Sequence, residues 1–521
     1  MRRLVLAPKW LQFFIVVLVV FGIFFRFVNL DGKVYSAGET NTLLRIYGYT
    51  NNEVKEQLFN DRLITKQALI KFQRFNPEKN FGDTIKSLAI DTPLNPPFYY
   101  LLARFWSQIF GDSITAIRIL SVVISLLVFP CIYWLCSELF KVPLSLPGIA
   151  IALLAISPMQ IIYAQEAQEY ILWEVTILLS SAALLRALRL ESIQQTDEKR
   201  LFNWGFYTFS LSLSLYTFSL SIFLVFAHIF YVIATAKFFV NKTVKNFLAS
   251  NLIGILSFMP WILVIFYNRF GFNGYSNVIN QDLSLINRII YCLTQTNRVF
   301  FDLNFNDANP LYLIAFTPLI FTLVGYAIYW LWRTNHQKVW LFVISLMTLG
   351  TIPLLIFDLQ LYLIPYYLSI QIAVAYLLAT QLYNGSISRQ KTWQAILVVL
   401  IMLALFSDTL YSHSNNSWIK FSSNDYINIA NILNQNSRSI IIISNQKNSY
   451  EDIFSLSYLI EPKVRFLLLK ESNIPKIPKN LNNLFLLNFS DTFRQSMEKK
   501  YRFKTNMIYQ GQYSSLWKLS K

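Results

Sequence analysis

LQFFIVVLVVFGIFFRFVNL, residues 11–30, is the stretch on which the fold turns. Twenty residues at the helical rise of 1.5 Å span the roughly 30 Å hydrocarbon core of a bilayer. Arg2 and Arg3 precede the run as they would a signal peptide, but FGIFFRFVNL has no small-residue cleavage site. It reads as a retained transmembrane helix. The next stretch, YSAGETNTLLRIYGYT at 35–50, brings a lone carboxylate, Glu39, and an arginine, Arg45, and opens a long polar segment.

The rest of the chain follows the same pattern. Of 521 residues, 55% are hydrophobic, 16% aromatic and 14% charged, with mean hydropathy +0.42, whereas a soluble chain carries about 25% charged residues. Eleven apolar runs predict eleven membrane helices, near 11–30, 113–139, 143–163, 170–190, 203–218, 219–238, 247–267, 311–332, 339–357, 361–383 and 393–411. With the N-terminus cytoplasmic, every second gap is basic: Lys141; Arg186, Arg189, Lys199 and Arg200; Lys237, Lys242 and Lys245; Arg333 and Lys338; Arg389 and Lys391. The net charge of +17 is thus spread over loops, without the aromatic-laced basic stripe of a nucleic-acid surface, so nucleic acid is excluded as a partner. Cys131, Cys136 and Cys292 form no disulfide framework, and His228, His336 and His413 have no zinc-ligand spacing.

The expected architecture is an all-α polytopic membrane domain, 1–411, followed by a small extracytoplasmic α/β domain, 412–521. RSIIIISNQ, KVRFLLLK and NNLFLLNFS supply strands for the second domain. The polar islands 31–96, QEAQEY at 165–170, the loop near 268–309 and DLQLY at 358–362 then share the external face. Loop 31–96 is nearly neutral, with nine basic and eight acidic residues between Asp31 and Asp91. TNTLLRIYGYTNNEVKEQL within it suits a helix lying in the interface, holding Glu39 near lipid headgroups; the plainer alternative is a solvated loop carboxylate.

Asp91 opens DTPLNPPFYYLLARFW, whose prolines start a helix. Arg118, in GDSITAIRILSVVISLL, falls inside its apolar run and requires an anionic partner, either a carboxylate or a lipid phosphate. In YAQEAQEY, helical spacing places Gln165, Gln168 and Glu169 on one face and Glu166 with Tyr170 on another; an ordinary hydrated helix end is the alternative. Arg288 and Arg298 offer planar donors suited to phosphate.

Taken in order, YSAGETNTLLRIYGYT, DTPLNPPFYYLLARFW, GDSITAIRILS, YAQEAQEYILW and LYLIPYYLSIQIAVAYLLA resemble the bacterial, particularly cyanobacterial, branch of glycosyltransferase family 39 in the GT-C superfamily, over roughly residues 10–411. The resemblance implies a membrane glycosyltransferase that moves a sugar from a polyprenyl-phosphate donor to an acceptor, a lipid, glycan or protein, outside the cytoplasmic membrane. It implies Glu39 as base with Asp91 as second acid, and substrate contacts at Arg45, Asn95, Arg118, Gln165, Glu166, Gln168, Tyr170, Arg298 and Tyr362. Arg118 and Arg298, or a divalent cation such as Mg or Mn, would stabilise the departing phosphate. Relatives usually carry Asp-Glu at Gly38-Glu39, His-Pro-Pro at Asn95-Pro96-Pro97, Gln-Glu-Ala-Arg at 165–168 and Arg-Tyr at Leu361-Tyr362. These neutral replacements keep open a second reading, a noncatalytic paralogue that binds lipid or a protein partner. A transporter is the third, and the internal repeat symmetry it would show is not found.

Overall fold

The structure, a computed structural model, describes residues 9–141, 143, 145–191, 196–268, 284–304, 310–357, 363–382, 386–418, 423–436, 438–444, 449–470, 483–511 and 514–520. After α1 (Lys9–Phe27) come five short helices, α2 (Ala37–Ile46), α3 (Asn51–Leu58), α4 (Lys66–Ile70), α5 (Phe81–Asp91) and α6 (Phe98–Phe110). The bundle continues with α7 (Ile114–Leu126), α8 (Val128–Leu139), α9 (Leu146–Ala155), α10 (Pro158–Ala164), α11 (Tyr170–Glu191), α12 (Asp197–Thr217), α13 (Ser221–Thr235) and α14 (Lys242–Tyr267). It closes with α15 (Leu285–Asn297), α16 (Pro310–Thr334), α17 (Gln337–Phe357), α18 (Ile364–Gln381) and α19 (Ile387–His413).

Every one of the eleven apolar runs falls on a helix or on two successive helices. By length and composition, six spans among the described residues are long and apolar enough to cross a membrane, or seven if α9 and α10, bent by 62°, form one broken span. Of the four expected spans outside this set, α13 has only 15 residues, and α12 and α18 carry Ser, Thr, Tyr and Gln, which lower their hydropathy; the fourth is the 25-residue α16. All 18 residues of α18 are buried, as a central helix requires. α1 lies at the periphery and turns Phe13, Val16, Val20 and Phe24 outward as a lipid-facing stripe.

α1 meets α9 through Gly22, where an added Cβ would lie 2.3 Å from the Ala155 carbonyl oxygen. The same contact places Arg26, which donates to the carbonyls of Gly22, Leu154 and Ala155. The last two are carbonyls at the end of α9, where the helix stops at the bend before Pro158.

Beyond the membrane helices lie α20 (Ser423–Gln435), α21 (Ser449–Leu459), α22 (Asp491–Tyr501) and a six-stranded sheet ordered β1-β3-β2-β4-β6-β5. Its strands are β1 (Leu63–Thr65), β2 (Ile440–Ser444), β3 (Arg465–Leu469), β4 (Leu484–Leu487), β5 (Lys504–Gln510) and β6 (Ser515–Ser520). β3, β2 and β4 are parallel, and both faces of these strands are covered. Ile441, Ile443, Phe466, Leu468 and Phe485 join the main core with α20 and α21, while Ile440, Ile442, Leu467, Leu469 and Leu484 pack with Phe493 and Met497 of α22. The unbroken apolar run at 440–443 is explained by this double burial.

Two expectations are corrected. The boundary at 411/412 is crossed by β1, which comes from the loop after α1 and pairs antiparallel with β3. Nor do the loop helices lie free in the interface: Tyr35 packs edge-on against Tyr458, Phe72 against Phe454, and Lys66 Nζ donates 2.7 Å to the Ile460 carbonyl. Leu43, Leu44 and Tyr47 are buried. The α/β domain supplies the apolar cover that a membrane surface was expected to give.

Candidate functional site

The segment opening with Glu39 folds as two short helices, each started by a capping box, Ser36 with Glu39 for α2 and Thr50 with Glu53 for α3. Gly48, at φ 78, makes the turn between them. The cap places the Glu39 carboxylate on the first turn of α2, facing Arg118 of α7.

Arg118 Nε donates 2.8 Å to Glu39 Oε1 and Nη2 donates 2.8 Å to Oε2. The Ala167 N–H adds a bond to Oε1 at 3.0 Å, and Ser36 N and Oγ approach Oε2 at 3.1 and 3.2 Å. Arg118 also donates to the carbonyls of Leu30, Lys33 and Val34. Both side chains are about 2% exposed. Burial alone would raise the Glu39 pKa; the charge and hydrogen bonds of Arg118, with the N–H groups of Ala167 and Ser36, outweigh it and hold the carboxyl below its ordinary value. Of the two partners open to Arg118, the structure provides the carboxylate.

Asp91 does not join Glu39. It pairs with Arg45 on the last turn of α2 and accepts from Asn51 N at 2.9 Å. Arg45 also donates to Asn51 Oδ1 and to the Tyr49 carbonyl. Six residues along a helix separate the two centres by about 9 Å in the axial direction. Arg45 and Asp91 clamp α2 to α5.

Residues 165–169 form the turn between α10 and α11, so the single helical face expected for Gln165, Gln168 and Glu169 does not exist. Gln165 Nε2 caps the end of α1, donating to the carbonyls of Phe25 (2.8 Å) and Val28 (2.9 Å). Glu166 Oε1 accepts from Ser417 Oγ at 2.8 Å, tying the turn to the chain leaving α19. Gln168 covers Gly38, where an added Cβ would lie 2.9 Å from Nε2. Glu169 accepts from Asn95 Nδ2 (3.1 Å) and Tyr100 Oη (3.2 Å). The Tyr170 ring packs 5.5 Å from that of Tyr163.

Arg298 caps α15 and pairs with Asp302 through Nε, 3.2 Å from Oδ2. Its carbonyl accepts from Met159 N, which anchors it to the start of α10. The Tyr411 hydroxyl lies within electrostatic reach of Glu39, Arg118, Glu166 and Asp302. Arg288 instead caps α17, donating to the carbonyls of Leu355 and Ile356. Tyr362 lies outside the described residues. Among the described residues no three His, Cys, Asp or Glu side chains are grouped to hold a metal ion. Glu39, Asp91 and Asp302 each face an arginine, so this donor set does not fit Mg or Mn.

The sequence reading passed over four charged groups, Lys33 and the intramembrane Arg26, Glu174 and Asp408. Lys33 is buried, donates to the carbonyls of Tyr411 and Ser414, and lies 3.5 Å from the centre of the Tyr411 ring. Burial, then the charge of Arg118, push its pKa down to about 7. Arg26 has Asp408 and Glu174 within electrostatic reach. Gln160 Nε2 donates 2.6 Å to Glu174, while both Asp408 oxygens have no hydrogen-bond partner among the described residues. The signal for all three intramembrane charges was present: each interrupts an apolar run, the criterion that singled out Arg118.

The model of the dolichyl-phosphate-mannose-protein mannosyltransferase family matches residues 94–264, about a third of the chain. ArnT from Cupriavidus metallidurans in the apo state superposes with TM-score 0.53 at 11% identity, covering 97% of this chain and 98% of that one. A second structure of ArnT, bound to undecaprenyl phosphate, gives TM-score 0.45 at 11% identity, with 98% of each chain covered. The apo oligosaccharyltransferase of Archaeoglobus fulgidus gives TM-score 0.52 at 12% identity, covering 88% of this chain and 65% of that one. No curated protein matches the sequence. The fold is that of ArnT, and the likeness extends through the C-terminal domain.

Proposed function

We propose that this protein is a glycosyltransferase of the cytoplasmic membrane that takes a sugar from a polyprenyl-phosphate-linked donor and passes it to an acceptor on the extracytoplasmic side. The observation that carries the reading is the buried charged set of Glu39, Arg118, Glu166, Arg298 and Asp302, which the external helices and the α/β domain roof over. The end-to-end likeness to apo ArnT supports it, as does the match of residues 94–264 to the dolichyl-phosphate-mannose-protein mannosyltransferase family model. The basic gaps support a topology with the N-terminus and loop 191–202 in the cytoplasm, and loop 31–96 with the tail after 411 outside.

In this reading a desolvated set of fixed charges stabilises the departing phosphate. Arg118 and Glu39 neutralise each other at rest. Glu39 becomes available as base when a bound substrate draws away part of the Arg118 contact. Glu39→Gln is expected to keep donor binding and to lower transfer by about 10²–10⁴. The assay is purified protein with a panel of polyprenyl-phosphate sugars, followed for donor hydrolysis and transfer. An unchanged rate in Glu39→Gln removes Glu39 as base.

A second reading, a noncatalytic GT-C-fold protein that binds the lipid donor, is favoured by the saturation of Glu39: five donor contacts occupy its two oxygens. Donor binding without hydrolysis or transfer across the panel would select it.

A further inference from the structure

The C-terminal domain has an outer face that the transfer reading does not use. Packing fixes the order of layers: α2 and α4 lie on the bundle, α21 covers them, the sheet covers α20 and α21, and α22 packs on the sheet's far side. At about 10 Å per packed layer, α22 stands roughly 30 Å beyond α2. This outermost layer is basic. Residues 484–521 hold seven Lys or Arg against two acids, Asp491 and Glu498. Asp491 pairs with Arg494, and Glu498 accepts from Thr505 N (2.9 Å) and Oγ1 (2.6 Å). Lys499, Lys500, Arg502 and Lys504 are exposed within six residues, and among the described residues no carboxylate pairs with Lys499, Arg502 or Lys504.

Lys499 and Lys500 also serve the helix dipole at the end of α22. Arg502 and Lys504 lie beyond the helix, and that account does not reach them. Arg502 holds the left-handed position that ends the helix, φ 55, where glycine is strongly favoured. A strained arginine at a solvent-facing turn points to a use for its charge.

We propose that the α22–β5 ridge is a docking surface for a linear anionic glycan, one bearing carboxylate or phosphate groups. The inference rests on the external placement of the tail, and not on sugar transfer itself. Charge complementarity names the partner's sign. Two packed layers, α21 and the sheet, separate this ridge from α2, and the protein's own membrane headgroups enter the test as a competing partner. The exposed Met507 and Ile508 on the neighbouring strand β5 leave room for sugar faces to rest beside the charges.

The test uses the full chain in uncharged nanodiscs, with polygalacturonate as probe and dextran as the neutral control. Wild type is expected to bind polygalacturonate at least tenfold more tightly than dextran, with affinity falling as salt rises. The exposed triple variant Lys499→Gln/Arg502→Gln/Lys504→Gln is expected to lose about tenfold. Arg502→Gly separates charge from folding, since it should weaken binding while raising the melting temperature by relieving the left-handed arginine. Equal binding of the two polymers, or an undiminished affinity in the triple variant, would overturn the proposal. So would tighter capture of duplex DNA or of phosphatidylglycerol vesicles than of polygalacturonate. Because the readout is binding alone, failure here leaves the transfer reading standing, and absence of transfer leaves this one standing.

Discussion

Substituting Met for Arg118 strands the Glu39 carboxylate in a site sealed from water, and removal of one partner of a buried pair costs about 3–5 kcal/mol. Thermal or denaturant unfolding in detergent should show this loss. Adding Glu39→Met should return only part of it, because the carbonyls of Leu30, Lys33 and Val34 still lack their donor. A full-strength Arg118→Met protein would mean that the pair carries no stability. Lys33 gives a prediction of the same pH sense as a paired carboxylate, displaced to the alkaline range: a lowered folded pKa makes stability rise with pH. Its ammonium titrates at about 7 when folded and near 10.5 when unfolded, so between those values the unfolded chain binds the extra proton. The penalty is complete below about pH 7 and relaxes as pH rises toward 10.5. Lys33→Met should therefore flatten the increase in melting temperature across that interval; an identical pH profile in both proteins would place the lysine in water.

The end of α9, where the bend toward α10 begins, approaches α1 closely at Gly22. Gly22→Ala drives a methyl group into the Ala155 carbonyl and should cost about 1–3 kcal/mol by forcing the two helices apart. Measured against Gly205→Ala, whose added Cβ meets nothing within 4 Å, the difference isolates packing from helix propensity. At this scale the limits of the sequence are visible. Period and run length located the membrane helices and strands β2, β3 and β4, because burial on one or both faces writes itself into hydrophobicity. β1 was not legible: three residues carry no period, and its role exists only because β3 offers an open edge. The helical spacing in YAQEAQEY failed for a related reason. The chain there is a turn whose side chains are held by partners distant in sequence, Phe25 and Val28 for Gln165, Asn95 for Glu169 and Ser417 for Glu166. Arg118 was legible because a charge in an apolar run demands a partner, but which carboxylate answers it depends on how α2 is capped.

Across the whole molecule the first test is sidedness. With Cys131, Cys136 and Cys292 replaced, a cysteine at exposed Glu198 should resist an impermeant maleimide in intact cells, whereas one at exposed Gln495 should react; the reverse pattern would invert the topology. The pairing of Leu63 with Leu467 adds a demand on biosynthesis. The edge strand leaves the ribosome roughly 400 residues before its neighbour, which at about 5–20 residues per second means a wait on the order of 20–80 s. During that interval the first external loop has no roof, its apolar residues Leu43, Leu44 and Phe72 have no cover from α21, and the sheet has no edge. Completion of the site is thus a late event in translation. A chain stopped after α19 would keep its long apolar helices yet leave that loop without its cover, so limited proteolysis should cut the truncated protein within 31–96 and spare the full chain.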